Sequence, residues 1–257
     1  MKTKIAFFEV DGTLIEMGTG KMNDQTRNAL CSLQKNGVKL VVCTGRSPLK
    51  VPRFDGFDWD AEIAFNGACI EADGKVISSR ALDPADMEAI VRSTEKLQRG
   101  LAAAGRDFFS AKRTDPALVE YFGFSKTPIQ EDPDFDLKIK EPVYQLMVSC
   151  SPEEYKEILK NTHSSVLVSW WNQAADVVSK ECSKGNALRE VLDYYGFSRE
   201  ESIAFGDGLN DVSMLEAAGL GIAVDNADDE VKKHADLVIG SVSENGVAAY
   251  LENTGLI

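Results

Sequence analysis

Along the first eighty residues, short apolar runs alternate with stretches whose apolar positions repeat at helical spacing. "KIAFFE" (4–9) is a continuous apolar run that ends in an acid, the pattern of a strand buried on both faces. Asn23 stands where a helix cap belongs, with Leu30 and Leu33 on the following apolar face and a stop at Gly37. "VKLVVC" (38–43) predicts the next buried strand and runs straight into Thr44-Gly45-Arg46. "AEIAF" (61–65) repeats the pattern and ends in Asn66-Gly67. Asp73-Gly74, between "CIEA" and "KVIS", predicts a hairpin with a type I′ turn.

The rhythm changes from about 81 to 179. Asp83-Pro84 supplies a cap and a first-turn proline for a helix with apolar positions Met87, Ile90, Val91, Leu97 and Leu101, predicted to close at Gly105. Pro116, Pro128, Pro133 and Pro142 then predict irregular chain as far as the strand "VYQLMVSC" (143–150). "SPEE" (151–154) is a capping box, and "SVLVSWW" and "ADVVS" read as two strands joined through Asn172-Gln173. From 184 the alternation returns: a helix with Leu188, Val191 and Leu192 that stops at Gly196, strand "SIAFG", helix "NDVSMLEAAG", strand "LGIAV", a short helix and strand "ADLVI". The expected fold is an α/β core with a doubly wound parallel sheet, built from residues 1–80 and 180–257, into which a smaller α+β domain (81–179) is inserted.

Composition narrows the chemistry. With 28 basic residues against 41 acidic ones the net charge is −13, which repels nucleic acid and anionic membranes, so neither is an expected partner. No apolar run approaches the about 18 residues that cross a bilayer, and the N-terminal segment lacks a small-residue cleavage site, so the expected location is the cytoplasm. Cys31, Cys43, Cys69, Cys150 and Cys182 are scattered singly, without the spacing of a disulfide frame or a zinc site. Only two histidines, His163 and His234, are present, which leaves acid-base or metal work to carboxylates and favours a hard cation such as Mg²⁺. The same negative field repels a phosphorylated metabolite at long range, so binding one requires local cations.

Three apolar runs end in reactive residues: Glu9 and Asp11, then Thr44, then Asp207 and Asp211 in "FGDGLND". In an open parallel sheet, ligands bind beyond the carboxyl ends of the strands, where segments distant in sequence meet. Lys184, in "ECSKGNAL", opens a helix directly after the inserted block. Taken singly, each has a plain explanation: Asp11-Gly12 and Asp207-Gly208 as turns, Asn210 as a helix cap, Lys184 as a solvated lysine. Their joint order after successive strands is not explained by turns, and acids, a hydroxyl and a lysine on one rim suit metal-dependent phosphoryl transfer.

"FFEVDGTL", "VVCTGR", "SKGNAL" and "IAFGDGLNDVSML" resemble the four motifs of the haloacid dehalogenase superfamily, and with "AFNGA" and "VDNADDEVKKHADLV" they resemble its Cof-type branch, subclass IIB, of sugar-phosphate and related phosphatases. The resemblance implies that Glu9 stands at the nucleophile's position and Asp11 at that of the general acid/base. It implies that Thr44 and Lys184 bind the phosphoryl oxygens with Asn210 nearby, and that Gly45, Arg46 and Asn66 lie near the phosphate or the mouth of the site. Mg²⁺ would be held by Glu9, Asp207 and the backbone carbonyl of Asp11, with Asp211 supporting its waters. The inserted block corresponds to a substrate-selecting cap, where Trp170, Trp171, Asn172, Arg106, Lys112 and Arg113 are candidate contacts, although adjacent tryptophans on a strand face opposite ways. The implied partner is a small phosphorylated metabolite, a sugar phosphate before a nucleotide or cofactor phosphate, and the expected state is a monomer or weak homodimer.

One position departs from the pattern. The family reads Asp-x-Asp-Gly-Thr, and this chain has Glu9-Val10-Asp11-Gly12-Thr13. The extra methylene adds about 1.5 Å of reach, and a misplacement of about 1 Å can cost on the order of 100-fold in rate. Three accounts remain open: a substituted form of an active phosphatase, a natural one that tolerates glutamate, or a silent relative that binds a phosphorylated ligand. A phosphomutase shares the architecture.

Overall fold

The computed structural model describes residues 2–257 apart from the side chain of Trp170, so the expectation for that side chain lies outside the described residues. Along the chain come β1 (Ile5–Phe8), α1 (Asp24–Lys35), β2 (Lys39–Cys43), β3 (Ala61–Ala64), β4 (Cys69–Ala72) and β5 (Lys75–Ser79). They are followed by α2 (Pro84–Leu97), β6 (Leu101–Ala104), β7 (Phe109–Arg113), α3 (Pro116–Phe124), β8 (Gln145–Ser149), β9 (Ser165–Trp171) and β10 (Ala174–Ser179). Last come α4 (Lys184–Tyr195), β11 (Ser202–Gly206), α5 (Val212–Ala217), β12 (Leu220–Val224), β13 (Leu237–Ile239) and α6 (Gly246–Asn253). The chain divides into two compact units: the residues through Arg46 with Lys50–Ser78 and Ser183–Ile257, and Ser47–Leu49 with Ser79–Cys182.

The first unit is built on an eight-stranded sheet in the order β13-β12-β11-β1-β2-β3-β4-β5. The strands from β13 to β3 pair in parallel, and β4 turns back antiparallel to β3. β1 sits between β2 and β11, so the winding reverses at β1 and opens a crevice beyond its carboxyl end. Successive side chains on a strand face opposite ways, and both faces are buried. Phe8 lies on one face with Leu30, Leu33, Phe205 and Leu251, stacked on the Phe205 ring with centroids 5.0 Å apart. Phe7 lies on the other with Val41, Leu188, Leu192 and Leu215. The local signals hold: Asn23 caps α1 by accepting the Gln25 N–H at 2.8 Å, and Asp73 and Gly74 both take positive φ, as a type I′ turn needs.

The second unit is a five-stranded antiparallel sheet in the order β7-β6-β8-β10-β9. One face packs Leu101, Ala103, Leu146, Val148, Ala175 and Val177 against Met87 and Ile90 of α2. Two expectations are corrected here. The helix predicted to run to Gly105 ends at Leu97, because Gln98 turns left-handed and the Gly100 N–H is taken by Ser149 Oγ (2.7 Å) and Asp115 Oδ2 (2.8 Å); Leu101 then begins a strand. The segment expected to be irregular contains β7 and α3: Pro116 is not a breaker but the first residue of a helix whose cap, Asp115, accepts the Leu118 N–H at 2.9 Å. Lys112 is tied to Asp136 at 2.7 Å and lies over the Phe135 ring, and the Trp171 ring meets Phe124 edge-on, so both of these candidate contacts are engaged within the second unit. Among the described residues no helix is long and apolar enough to cross a membrane.

Asp176, on β10, is 2% exposed. Burial pushes its carboxyl up to about 7, against hydrogen bonds from Tyr121 and Gln145, and Gln145 Oε1 is buried without a partner. A carboxyl whose pKa is raised on folding favours the folded state while protonated, and that advantage is lost as pH rises through the folded value. Asp176→Asn keeps an acceptor for Tyr121 and offers an amide to Gln145. It should therefore be near-neutral at pH 4 and stabilising at pH 8 by roughly 2 kcal/mol. Urea unfolding at the two pH values checks this, and an equal effect at both would refute it.

Candidate active site

The described residues that carry chemistry in the first unit gather at the carboxyl ends of β1, β2 and β11. The Glu9 N–H still bonds the Phe205 carbonyl at 3.0 Å, so the residue leaves the sheet in strand register and its side chain is held at the rim, 6% exposed. Lys184 is the first residue of α4, which Ser183 caps by accepting the Asn186 N–H at 3.0 Å. Its ammonium, 1% exposed, donates to Glu9 Oε2 and to Asp211 Oδ1, the latter at 2.5 Å. Asp211 is fully buried, and its other oxygen accepts the N–H groups of Asp207 (3.0 Å) and Gly208 (2.9 Å), which folds the "GDGLND" loop back on itself.

Asp207 is aimed by residues that the sequence did not assign to the site. Thr13 donates its hydroxyl to Asp207 Oδ1 at 2.6 Å. Gly12, at φ +79°, lets the same carboxylate come so close that an added Cβ would lie 2.0 Å from Oδ2. Asn226 steadies this loop from the far side, donating to the Gly12 carbonyl at 2.8 Å while accepting the Val242 N–H. The hydroxyl directly after Asp11-Gly12 was the available signal for Thr13; an asparagine inside "VDNAD" carries none that singles it out.

Asp11 faces Arg46, whose guanidinium grips it with two bonds of 2.7 and 2.6 Å and also donates to the Lys50 carbonyl. Thr44 joins through the same arginine, its hydroxyl accepting the Arg46 N–H at 3.2 Å. Asn66, in a left-handed turn at φ +55°, donates its N–H to the Thr44 carbonyl, and its side-chain oxygen accepts from Asn210 at 3.0 Å. Asn66 Nδ2 is buried without a partner and packs on Gly45. Asn210 is therefore engaged with Asn66, and the helix-cap explanation for it does not hold. Glu9, Lys184, Asp211 and Asp207 form one connected set, and Asp11, Arg46 and Thr44 a second, joined to the first through consecutive backbone.

Two carboxylates contact one buried ammonium and a third, Asp207, lies close enough to feel their charge, and their acidities record the imbalance. Burial first, then Asp211, pushes the Asp207 carboxyl up to about 8. Burial also raises Glu9, to about 7, with Asp211 and Asp11 adding and Lys184 opposing. Burial disfavours the charge on Lys184, but Asp211 and Glu9 outweigh it and hold the ammonium above its usual range. Excess negative charge held by oxygen donors is what a small dication relieves. Among the described residues no three Asp, Glu, His or Cys side chains are arranged to hold a metal ion. The ligand set implied by the resemblance needs only two side-chain carboxylates, Glu9 and Asp207, together with the Asp11 carbonyl, and the donor chemistry fits.

The model of the haloacid dehalogenase-like hydrolases matches residues 6–251. YkrA of Bacillus subtilis is 30% identical over the whole of both chains. Among solved structures, the phosphatase BT1666 of Bacteroides thetaiotaomicron aligns with a TM-score of 0.90 and 28% identity, covering 100% of this chain and 96% of that one. The subclass IIB sugar phosphatase BT4131 aligns with a TM-score of 0.89 and 27% identity, covering 99% of this chain and 100% of that one.

Removing the central cation tests the electrostatic account. Lys184→Met leaves Glu9 and Asp211 buried without their partner and should cost about 3–5 kcal/mol at pH 8. Glu9 already titrates near 7 beside the ammonium, so without it the proton is bound at higher pH still, and the loss should shrink at pH 5. Urea midpoints at both values read this out, and a pH-independent loss would contradict it.

Proposed function

We propose, from the premise that this chain belongs to the haloacid dehalogenase-like hydrolases and is a phosphatase of their Cof-type subclass IIB, that it hydrolyses small phosphate monoesters, sugar phosphates first, with Mg²⁺. The observation that carries the reading is the set Glu9, Asp207, Asp211 and Lys184 at the carboxyl ends of β1 and β11, linked by direct bonds. In this reading Glu9 attacks phosphorus, the ester oxygen leaves with a proton from Asp11, and a phosphoryl-carboxylate forms at position 9. Asp11, now a base, removes a proton from water, which attacks phosphorus and restores Glu9. Arg46 grips Asp11 through both oxygens, so one of these bonds opens when Asp11 carries the proton it donates. Lys184 and Thr44 take the phosphoryl oxygens, with Gly45, Asn66 and Asn210 at their side. Glu9, Asp207 and the Asp11 carbonyl would hold Mg²⁺, with Asp211 behind them, and the bound ion would neutralise charge on the transferring group.

The segment 81–179 is read as the cap that selects the leaving group, which the relation to a sugar phosphatase supports. A cytoplasmic setting is supported by cysteines that form no disulfide among the described residues, and the expected state is a monomer or weak homodimer. A net charge of −13 argues against nucleic acid or an anionic membrane as partner. One observation favours a second reading: a glutamate in the nucleophile's place suits a silent protein that binds a phosphorylated metabolite without turning it over.

A panel of sugar phosphates assayed with Mg²⁺ separates the two, since hydrolysis supports the first and tight binding without phosphate release supports the second. Glu9→Asp should raise turnover by about tenfold or more; equal rates in parent and variant would refute the geometric account. Lys184→Ala should lose activity even at saturating Mg²⁺, because the ion does not replace the lysine's contact with the phosphoryl oxygens. Retained activity would remove the lysine from the mechanism.

A further inference from the structure

Glu9 does more than sit in a nucleophile's place with a longer arm. Its carboxylate uses both oxygens. Oε1 accepts the backbone N–H of Val10 at 2.6 Å and of Asp11 at 3.3 Å, and Oε2 accepts from the ammonium of Lys184. Two successive backbone N–H groups converging on one oxygen form a nest, a concavity suited to anions, and here a buried lysine closes its other side. Most of it is out of water: Val10 is fully buried and Glu9 and Lys184 are nearly so, while Asp11 is half-buried at its open side. The donors that would receive a phosphoryl dianion are thus satisfied by the protein's own side chain.

We propose that the Glu9 carboxylate is a built-in occupant of an anion cradle formed by the N–H groups of Val10 and Asp11 and the ammonium of Lys184, and that a phosphoryl ligand binds by displacing it. The proposal rests on the hydrolase reading only in naming a phosphoryl group as the competing anion. It differs from simple repulsion between a buried carboxylate and a dianion, because repulsion follows charge whereas occupancy follows reach. Shortening the side chain by a methylene withdraws the carboxylate by about 1.5 Å and should open the cradle with the charge unchanged.

Inorganic phosphate titrated calorimetrically into the full chain and into Glu9→Asp, Glu9→Gln and Glu9→Asn, in EDTA and again at saturating Mg²⁺, separates the two. At each charge the shorter side chain should bind phosphate more tightly, Glu9→Asp over the parent and Glu9→Asn over Glu9→Gln, by about tenfold, or about 1.4 kcal/mol. Affinity that tracks charge alone, or no binding by any form in either buffer, overturns the proposal. Should Glu9→Asp fail to fold, the neutral pair still makes the comparison. Tighter phosphate binding by Glu9→Asp without hydrolysis of any monoester would defeat the hydrolase reading and leave the cradle standing. Faster hydrolysis with unchanged phosphate affinity would do the reverse.

Discussion

The ammonium of Lys184 holds together three pieces of chain that the sequence keeps far apart. Glu9 comes from the end of β1, Asp211 from the loop after β11, and the lysine itself from the start of α4. Taking an ammonium and two carboxylates out of water costs several kcal/mol per ion after relaxation. Two opposite charges at contact, each contributing about 4 kcal/mol at an effective dielectric near 20, offset that only if the geometry is kept. The backbone keeps it: Glu9 is still in strand register with β11, and Asp211 is clamped by two N–H groups of its own loop.

One cation among three acids is an unfinished balance. Asp207 carries the remainder, oriented by Thr13 and pressed against Gly12, with a carboxyl pushed up to about 8. A site that folds with a surplus of buried negative charge holds its acids less willingly as pH rises, and a dication at the same oxygens would remove that penalty. Orientation is supplied by small neutral groups, a hydroxyl and a bare Cα, which add no further charge.

Much of this was legible in the linear pattern because β1, β2 and β11 are apolar on both faces and end abruptly in polar residues. The strand ends therefore announced themselves, and the rule that parallel sheets bind ligands beyond their carboxyl ends supplied the meeting place. Lys184 was readable from its place at a helix start after the inserted block. The second unit was harder to read. Its strands β6 and β7 are short and rich in alanine and polar residues, and Leu101 fits the helical face of α2, whereas Gln98 ends the helix by turning left-handed and the Gly100 N–H is held by Ser149 and Asp115, more than a dozen residues away. Partners of that kind have no local signature. The same holds for the grip of Arg46 on Asp11 and the pairing of Asn210 with Asn66, which are set by the fold and not by spacing.

The net charge of −13 and an anionic ligand are compatible because the two act over different distances. Exposed charges farther away than a Debye length, about 8 Å at physiological ionic strength, are largely screened, while donors in direct contact are not. In the proposed site the deciding groups are therefore the handful at the carboxyl end of β1: two backbone N–H groups, one ammonium and the carboxylates around them. At that scale an extra methylene matters in a way that overall charge does not. Glutamate and aspartate contribute equally to every charge count made over the whole chain, yet the longer side chain of Glu9 carries its carboxylate back onto the N–H of the very next residue. In the proposed cradle, affinity would be set by which oxygen reaches the donors, and in this chain the oxygen that reaches them is already covalently attached.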